Sequence, residues 1–273
     1  MSTPKKSFVV ETLRRAQMVD LLSKGKRPDG RALDEMRKLE ITTGLIEKAN
    51  GSAMVTLGNT SVIAGVKIDK GTPFPDTPDK GVLMVGAEVL PLAAAYVEAG
   101  PPDESSIELA RVVDRGVRES EMIDLETLVI KAGKFVYTVF VDVNVLNVDG
   151  NLFDATSYAV VSALLTAKMP KFVMDGDAVK VTDEIVPVPV RRVPASVTSV
   201  KIGNSLVVDP TSEEEAVMDA RITITTDDDE NVCAGQKGEA GSFSSEQVLD
   251  AVSMSILKGK EARQKIREAT GRA

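Results

Sequence analysis

The 273-residue sequence contains no histidine and no tryptophan. Without histidine the chain lacks the usual general base, the histidine-dependent nucleophilic triads and the most common transition-metal ligand. With no tryptophan and only three tyrosines, it is also poor in the side chains on which nucleic-acid bases stack. These absences exclude several frequent catalytic designs and leave charged side chains as the main candidates for binding.

Cysteine is nearly absent as well, because Cys233 is the only one in the sequence. A single cysteine excludes an internal disulfide and a thiolate zinc site, and it is typical of proteins in a reducing compartment. No apolar run is long enough to cross a membrane, and the N-terminal segment from Met1 to Lys6 lacks the apolar core of a secretion signal. We therefore expect a cytoplasmic protein.

Negative charge dominates the composition: 33 Lys and Arg stand against 41 Asp and Glu, which gives a net charge of −8. With 43% hydrophobic and 27% charged residues, the chain is typical of a globular protein of one large domain or two modest ones. An acidic chain repels nucleic acid over most of its surface. Any RNA or DNA site must therefore be local, or be shared with a partner.

A proline-stiffened loop precedes a predicted helix in the segment 100–118. Pro101 and Pro102 cannot continue a helix backwards, and Ser105 and Glu108 have the spacing of a capping box. At 3.6 residues per turn, apolar side chains including Leu109, Val113 and Val117 fall on one side. We expect that side to pack against the protein.

The other side of this helix carries Arg111, Arg115 and Arg118, which are one turn apart. Such a row suits a series of phosphates, because a guanidinium group offers several donors and stays charged at any working pH. The alternative is a solvated helix face with surface ion pairs to Asp114, Glu108 and Glu119. From the residues alone, both interpretations remain open.

The pattern of strands and helices predicts an α+β fold in two similar halves, each a series of strands followed by a helix. The first strands, up to residue 90, predict an antiparallel sheet. Short turns with matching sequences, 58–60 and 203–205, occur in both halves. The predicted domains are an N-terminal helix and turn (1–32), a first half (33–170), a proline-containing crossing segment (171–193), and a second half with a C-terminal helix (194–273).

Five motifs, in order and over nearly the whole chain, resemble the ribonuclease PH family, and more narrowly its catalytically silent members in the ring of the archaeal RNA exosome. They are Arg27 to Arg31, Gly51-Ser52-Ala53 with Gly58-Asn59-Thr60, Gly100 to Asp103, Ile107 to Arg115, and Val207 to Thr211 with Glu213-Glu214-Glu215. The resemblance implies a duplicated ribonuclease PH-like fold of the ribosomal protein S5 domain 2-like type.

The same resemblance implies partners. We expect a hexameric ring in which this subunit alternates with a catalytic ribonuclease PH-like subunit, three of each, together with S1-domain RNA-binding cap subunits. Single-stranded RNA would pass through the ring and be degraded from 3′ to 5′ by phosphate. The resemblance also makes Arg111, Arg115 and Arg118 the candidate RNA-binding residues.

Departures from the pattern of active family members predict that this subunit has no catalytic residues, no cofactor and no metal. Active members hold phosphate with an arginine just before the helix, where this chain has Glu104-Ser105-Ser106. They also place a glycine, a small hydroxyl residue and an arginine after the turn 149–150, where this chain has Asn151-Leu152-Phe153. Their spaced acidic cluster is reduced here to Asp183 and Glu184.

Two alternatives to a silent subunit follow from the same residues. The chain could itself be an active phosphate-dependent 3′-to-5′ exoribonuclease, which the missing phosphate ligands disfavour. A small-molecule kinase would need a glycine-rich phosphate loop, and the sequence contains no such pattern. The acidic segment 227–230 is expected to be a solvated hairpin loop rather than a cation site. Asp29, between two arginines, is expected to form a turn with ion pairs.

Overall fold

The computed structural model describes residues 8–176 and 178–272, in which five helices and twelve strands follow one another. In chain order they are α1 (Phe8–Ser23), β1 (Leu39–Thr43), β2 (Gly51–Leu57), β3 (Thr60–Gly71), β4 (Val82–Val89), α2 (Glu104–Glu119), β5 (Val129–Lys131), β6 (Phe135–Asn147), α3 (Leu152–Thr166), β7 (Lys168–Asp175), β8 (Ala178–Pro187), β9 (Ala195–Ile202), β10 (Ser205–Val208), α4 (Ser212–Glu215), β11 (Ala220–Thr226), β12 (Val232–Gly238) and α5 (Ser245–Thr270). The α+β class is confirmed.

The first sheet has the strand order β1-β2-β3-β6-β4, and the short strand β5 pairs with the beginning of β6. Its ladders are antiparallel except for β4, which runs parallel to β6. The expectation of an antiparallel sheet up to residue 90 was therefore wrong for its last strand. The physical reason is the connection between these two strands. Helix α2 lies between them and returns the chain to the end of the sheet at which β4 began, so β6 runs in the same direction as β4.

The second sheet is antiparallel, in the order β10-β9-β11-β12. The predicted turns at 58–60 and 203–205 both connect antiparallel strands, and Gly58 and Gly203 take φ values of +59° and +62° there. This left-handed backbone strains residues with a Cβ but costs glycine little.

Helix α3 lies between the two sheets and is buried from Phe153 to Leu165. Small side chains let it approach strand β2 closely: a Cβ at Gly51 would lie 2.4 Å from the Ala163 carbonyl oxygen. Helix α5 packs on the second sheet and on β1, and α2 packs on β4 and reaches β12. Both long helices thus help to join the halves.

Helix α1, the predicted N-terminal helix, is docked on the second sheet. Met18 and Leu22 are buried against Val200, Ile202 and Val207. Burying each such side chain contributes about 1.5–3 kcal/mol. The N-terminal helix is therefore part of the second half's packing.

A hairpin of β7 and β8 occupies most of the segment expected to cross between the halves. Sequence reasoning missed it because prolines usually interrupt a sheet. Here Pro170 lies opposite Ile185 and Pro187 opposite Lys168, in a sheet of only two strands. Such strands have open edges, where a missing N–H removes no ladder bond. No described helix is both long and apolar enough to span a membrane.

Candidate nucleic-acid interface

Helix α2 begins at Glu104, and Asp103 is its N-cap. The Asp103 carboxylate accepts a 2.8 Å hydrogen bond from the Ser106 amide, and this bond lowers the pKa of that carboxyl. The predicted capping box of Ser105 and Glu108 was wrong, because Glu108 accepts instead from Arg221 Nη2, at 2.8 Å. The N-cap lies two residues before the cap that the sequence suggested.

The predicted arginine row lies on the exposed side of α2. Arg111, Arg115 and Arg118 all face solvent, while Leu109, Val113 and Val117 are buried on the other side. A shallow cavity of about 390 Å³ runs along these arginines and is also bordered by Val85, Ala110, Asp114 and Glu119. We call the three arginines the arginine face.

The members of the arginine face differ in what they already bind. Arg118 is paired with Asp114 at 2.8 Å and donates a 3.0 Å bond to the Leu83 carbonyl. Arg115 donates to Gln236 Oε1 at 3.2 Å. Arg111 has no hydrogen bond or ion pair to any residue that the structure describes. The ion-pair alternative therefore holds for Arg118 with Asp114 alone, since Glu108 binds Arg221.

A second cavity, of about 350 Å³, lies between the first turn of α2 and the start of α3. It brings together Ser105, Ser106 and Leu152, which come from the two segments expected to hold phosphate in active ribonuclease PH members. Its charged lining residues are Glu88, Glu98 and Asp103, and no Lys or Arg is among them. We call it the acidic cleft; carboxylates without a nearby cation repel phosphate.

Two family models match the chain and decide its classification. The 3′ exoribonuclease family domain 1 matches residues 35–170, and domain 2 of the same family matches residues 192–256. The chain belongs to the ribonuclease PH family. The resemblance inferred from the motifs and the ribonuclease PH-like fold are thus confirmed.

Individual relatives support this over nearly the full length. The chain is 51% identical to the exosome complex component Rrp42 of Thermococcus kodakarensis over 267 residues, 97% of this chain and 98% of the relative. It is 50% identical to the protein of the same name from Thermoplasma acidophilum, covering 94% and 96% of the two chains. A solved structure described as the Archaeoglobus fulgidus exosome with RNA bound to the active site matches with a TM-score of 0.86 at 45% identity, covering 94% of this chain and 99% of that one.

The N-terminal end of α3 lies in a segment that is expected to hold phosphate in active family members. In this chain it is bonded to the carboxylate of Glu215. Asn151, the N-cap, has a left-handed backbone with φ of 51°. Its amide donates a 2.8 Å bond to Glu215 Oε1, and its side chain bonds Asp154 and Asp209. Burial raises the pKa of the half-buried Glu215 carboxyl. The Asn151 amide is therefore already bound within the chain.

Behind this helix start lies a buried charge network that joins the two halves. Asp209 accepts hydrogen bonds from Arg31, Arg37 and Asn151. Burial would raise the pKa of Asp209, but the bonds and charge of Arg37 outweigh it and lower that pKa. The neighbouring Asp154 is fully buried, which raises its pKa to about 7 despite hydrogen bonds from Asn151 and Thr198.

The turn at 27–31 is anchored to the same network. Asp29 accepts from Arg31 Nε at 2.7 Å, which confirms the expected turn with ion pairs. Arg27 instead reaches Glu214, and both side chains are fully buried. Sequence spacing could not reveal this pair, because 187 residues separate its members. The only signal was the occurrence of both residues within motifs of the family.

The acidic segment 227–230 forms the expected hairpin loop, but it is not solvated throughout, because Asp227 is buried. Residues 227–230 connect β11 and β12, and the Asp227 carboxylate accepts bonds from the amides of Asp229 and Asn231. Residues 213–215 lie in α4, a helix with Thr211 as N-cap. On the hairpin, Glu184 pairs with Lys171. In the part of the chain that is described, no cluster of acidic or cysteine side chains could hold a metal ion.

Proposed function

We propose that the chain is the non-catalytic ring subunit of an exosome of the archaeal type, in which it scaffolds a catalytic ribonuclease PH-like partner during 3′-to-5′ phosphorolytic RNA degradation. Support comes from the relatives named exosome complex component Rrp42 and from the match to an exosome structure described as having RNA in its active site. We further propose an alternating hexamer with three copies of each subunit, S1-domain caps, and a cytoplasmic location.

The acidic cleft is the observation that carries the non-catalytic assignment. A phosphorolytic enzyme must hold inorganic phosphate beside the scissile bond, and protein sites do this with arginines and free backbone amides. The cleft has carboxylates in place of cations, and the Asn151 amide beside it is bound to Glu215. Phosphate entering the cleft would meet uncompensated negative charge.

The arginine face supports the RNA-binding part of the proposal. In a chain with a net charge of −8, it concentrates three guanidinium groups on one helix side. Arg111 can bind a phosphate without giving up an existing bond, whereas Arg118 is already paired with Asp114. We expect Arg111 to contribute most to RNA affinity and Arg118 least.

The interaction with partners is supported by exposed apolar side chains outside the arginine face. Leu92 and Tyr96, in the loop after β4, are 70% and 67% exposed. Exposed large apolar groups that lie near one another are typical of protein interfaces. Light scattering after size-exclusion chromatography should therefore detect assembly with the catalytic partner.

Incubation of the pure chain with single-stranded RNA and phosphate tests the assignment. We expect no nucleoside diphosphate from the chain alone and release once the catalytic partner is added. Release by the chain alone would instead establish the alternative, an active exoribonuclease.

A further inference from the structure

A basic cavity at the C-terminal part of α5 has no role in the function proposed above. Its volume is about 640 Å³, which falls in the range of small-molecule sites. The lining residues come from α5, its C-terminal end and the loop between β11 and β12: Asp228, Glu230, Lys260, Arg263, Gln264, Arg267, Glu268, Gly271 and Arg272. This cavity borders α5, whereas the arginine face lies on α2.

Arg263 is the unusual member of this lining, because the residue is only 3% exposed and has no ion pair within the described chain. Its Nη1 donates to the Thr226 carbonyl at 2.9 Å and to Thr226 Oγ1 at 3.0 Å. Nε and Nη2 donate to no described residue, yet neither is sealed in the interior. The accessible space next to these two donors is therefore the cavity.

The side chains that line the cavity carry one more positive than negative charge. Asp227, which is outside the lining, also acts on Arg263 and is itself 3.6 Å from Arg192. Lys260 lies 3.8 Å from Glu230, Arg267 is paired with Asp228, and Glu268 accepts a 2.9 Å bond from Gln264. Arg263 and Arg272 are left without a carboxylate partner among the described residues. Four cations thus border the cavity with three carboxylates, in a chain that is acidic as a whole.

Burying a guanidinium group without an ion pair is unfavourable, and burial lowers the pKa of Arg263 even though the charges of Asp228 and Asp227 oppose this shift. An anion in the cavity would offset this cost through charge-assisted bonds to Nε and Nη2. Phosphate oxygens match the planar fork of donors that a guanidinium presents. We propose that this cavity binds a phosphate group, as the free ion or as the terminal phosphate of a nucleotide, with Arg263 and Arg272 as its main ligands.

Isothermal titration of the full chain with inorganic phosphate, and separately with ADP, tests the site. We expect Arg263→Gln and Arg272→Gln each to weaken binding of the better probe about tenfold, equivalent to about 1.4 kcal/mol. Tighter binding of phosphate would identify the free ion as the ligand, and tighter binding of ADP a nucleotide. The matched control, Lys171→Gln on the β7–β8 hairpin, removes a surface cation that lines neither this cavity nor the arginine face, and it should leave both titrations unchanged.

Arg263 also holds Thr226, so circular dichroism must show that Arg263→Gln is folded. If it is not, Arg272→Gln and Lys260→Gln decide the question, since both side chains lie at the rim of the cavity. Loss of binding in either variant, with Lys171→Gln unaffected, supports the site. The absence of heat from both probes at millimolar concentration overturns the proposal. So does binding that survives the cavity variants or is lost in Lys171→Gln.

Discussion

Replacing Arg27 by methionine should destabilise the chain strongly, because it leaves Glu214 as a buried charge without a partner. The two side chains form a bidentate pair, with Arg27 Nε 2.8 Å from Glu214 Oε1 and Nη2 2.6 Å from Oε2. Both are 0% exposed. Nη1 and Nη2 also donate to the carbonyls of Val208 and Asp209, each at 2.9 Å.

The expected loss is about 3–5 kcal/mol in the free energy of unfolding, the usual cost of breaking a buried ion pair from one side. Glu214 keeps its capping bond from the Thr211 amide at 2.8 Å, which favours the lower part of this range. In the double variant Arg27→Met/Glu214→Gln the remaining charge is gone while the cap is retained. The double variant should therefore be more stable than the sum of the single losses implies, by at least about 1 kcal/mol.

Urea unfolding followed by circular dichroism measures these differences. Lys24→Met is the control, since Lys24 pairs with Asp20 at the surface, where both side chains are more than half exposed, and such pairs contribute about 0–1 kcal/mol. An Arg27→Met variant within about 1 kcal/mol of the wild type would refute the reasoning. If the losses of the two single variants simply add in the double variant, the predicted coupling between Arg27 and Glu214 is refuted.

Three further predictions concern the junction and the arginine face. Because burial raises the pKa of Asp154 from 3.8 to about 7, the folded chain binds a proton that the unfolded chain releases, and this contribution to stability is lost as pH rises from 3.8 to about 7. The unfolding free energy should therefore fall more steeply over that range in the wild type than in Asp154→Asn; an equal slope in both would contradict this. Gly150→Ala places a Cβ 2.5 Å from the Thr211 carbonyl carbon at φ +77° and should cost about 3 kcal/mol, against about 1 kcal/mol for Gly133→Ala, which has φ +72° and open space. Thermal unfolding distinguishes the two, and equal losses would rule out the close contact. In assembled rings, Arg111→Ala should reduce the salt dependence of RNA binding by about one unit, Arg115→Ala by less and Arg118→Ala by least, and none of them should change base preference. Filter binding at two salt concentrations measures it, and unchanged affinity in all three would leave the arginine face a structural surface.

Local patterns were sufficient to predict most elements of the fold. Helix α5 begins at the capping box of Ser244 and Gln247, as its sequence indicates. The strands predicted in both halves are present in the two sheets. The side of α2 that carries the arginines followed from helical periodicity alone. In each case, the residues that determine the structure lie close together in the sequence.

Features that depend on distant residues could not be predicted in the same way. The parallel pairing of β4 with β6 depends on the path of the intervening helix. The pair of Arg27 and Glu214 and the acidic cleft each join segments far apart in the chain. The spacing of Asp114 and Arg118 allowed their ion pair, but nothing in the sequence showed that Arg111 would be free. The missing information is tertiary, because these properties are set by which surfaces meet.

The most direct test of the central claim uses a ring assembled from this chain and a catalytic partner disabled by substitution in its own active site. If the subunit is non-catalytic, single-stranded RNA and phosphate should yield no nucleoside diphosphate from this ring, although RNA still binds to it. A ring with the intact partner serves as the positive control. Sustained release from the ring with the disabled partner would show that the acidic cleft supports phosphorolysis, and would contradict the account.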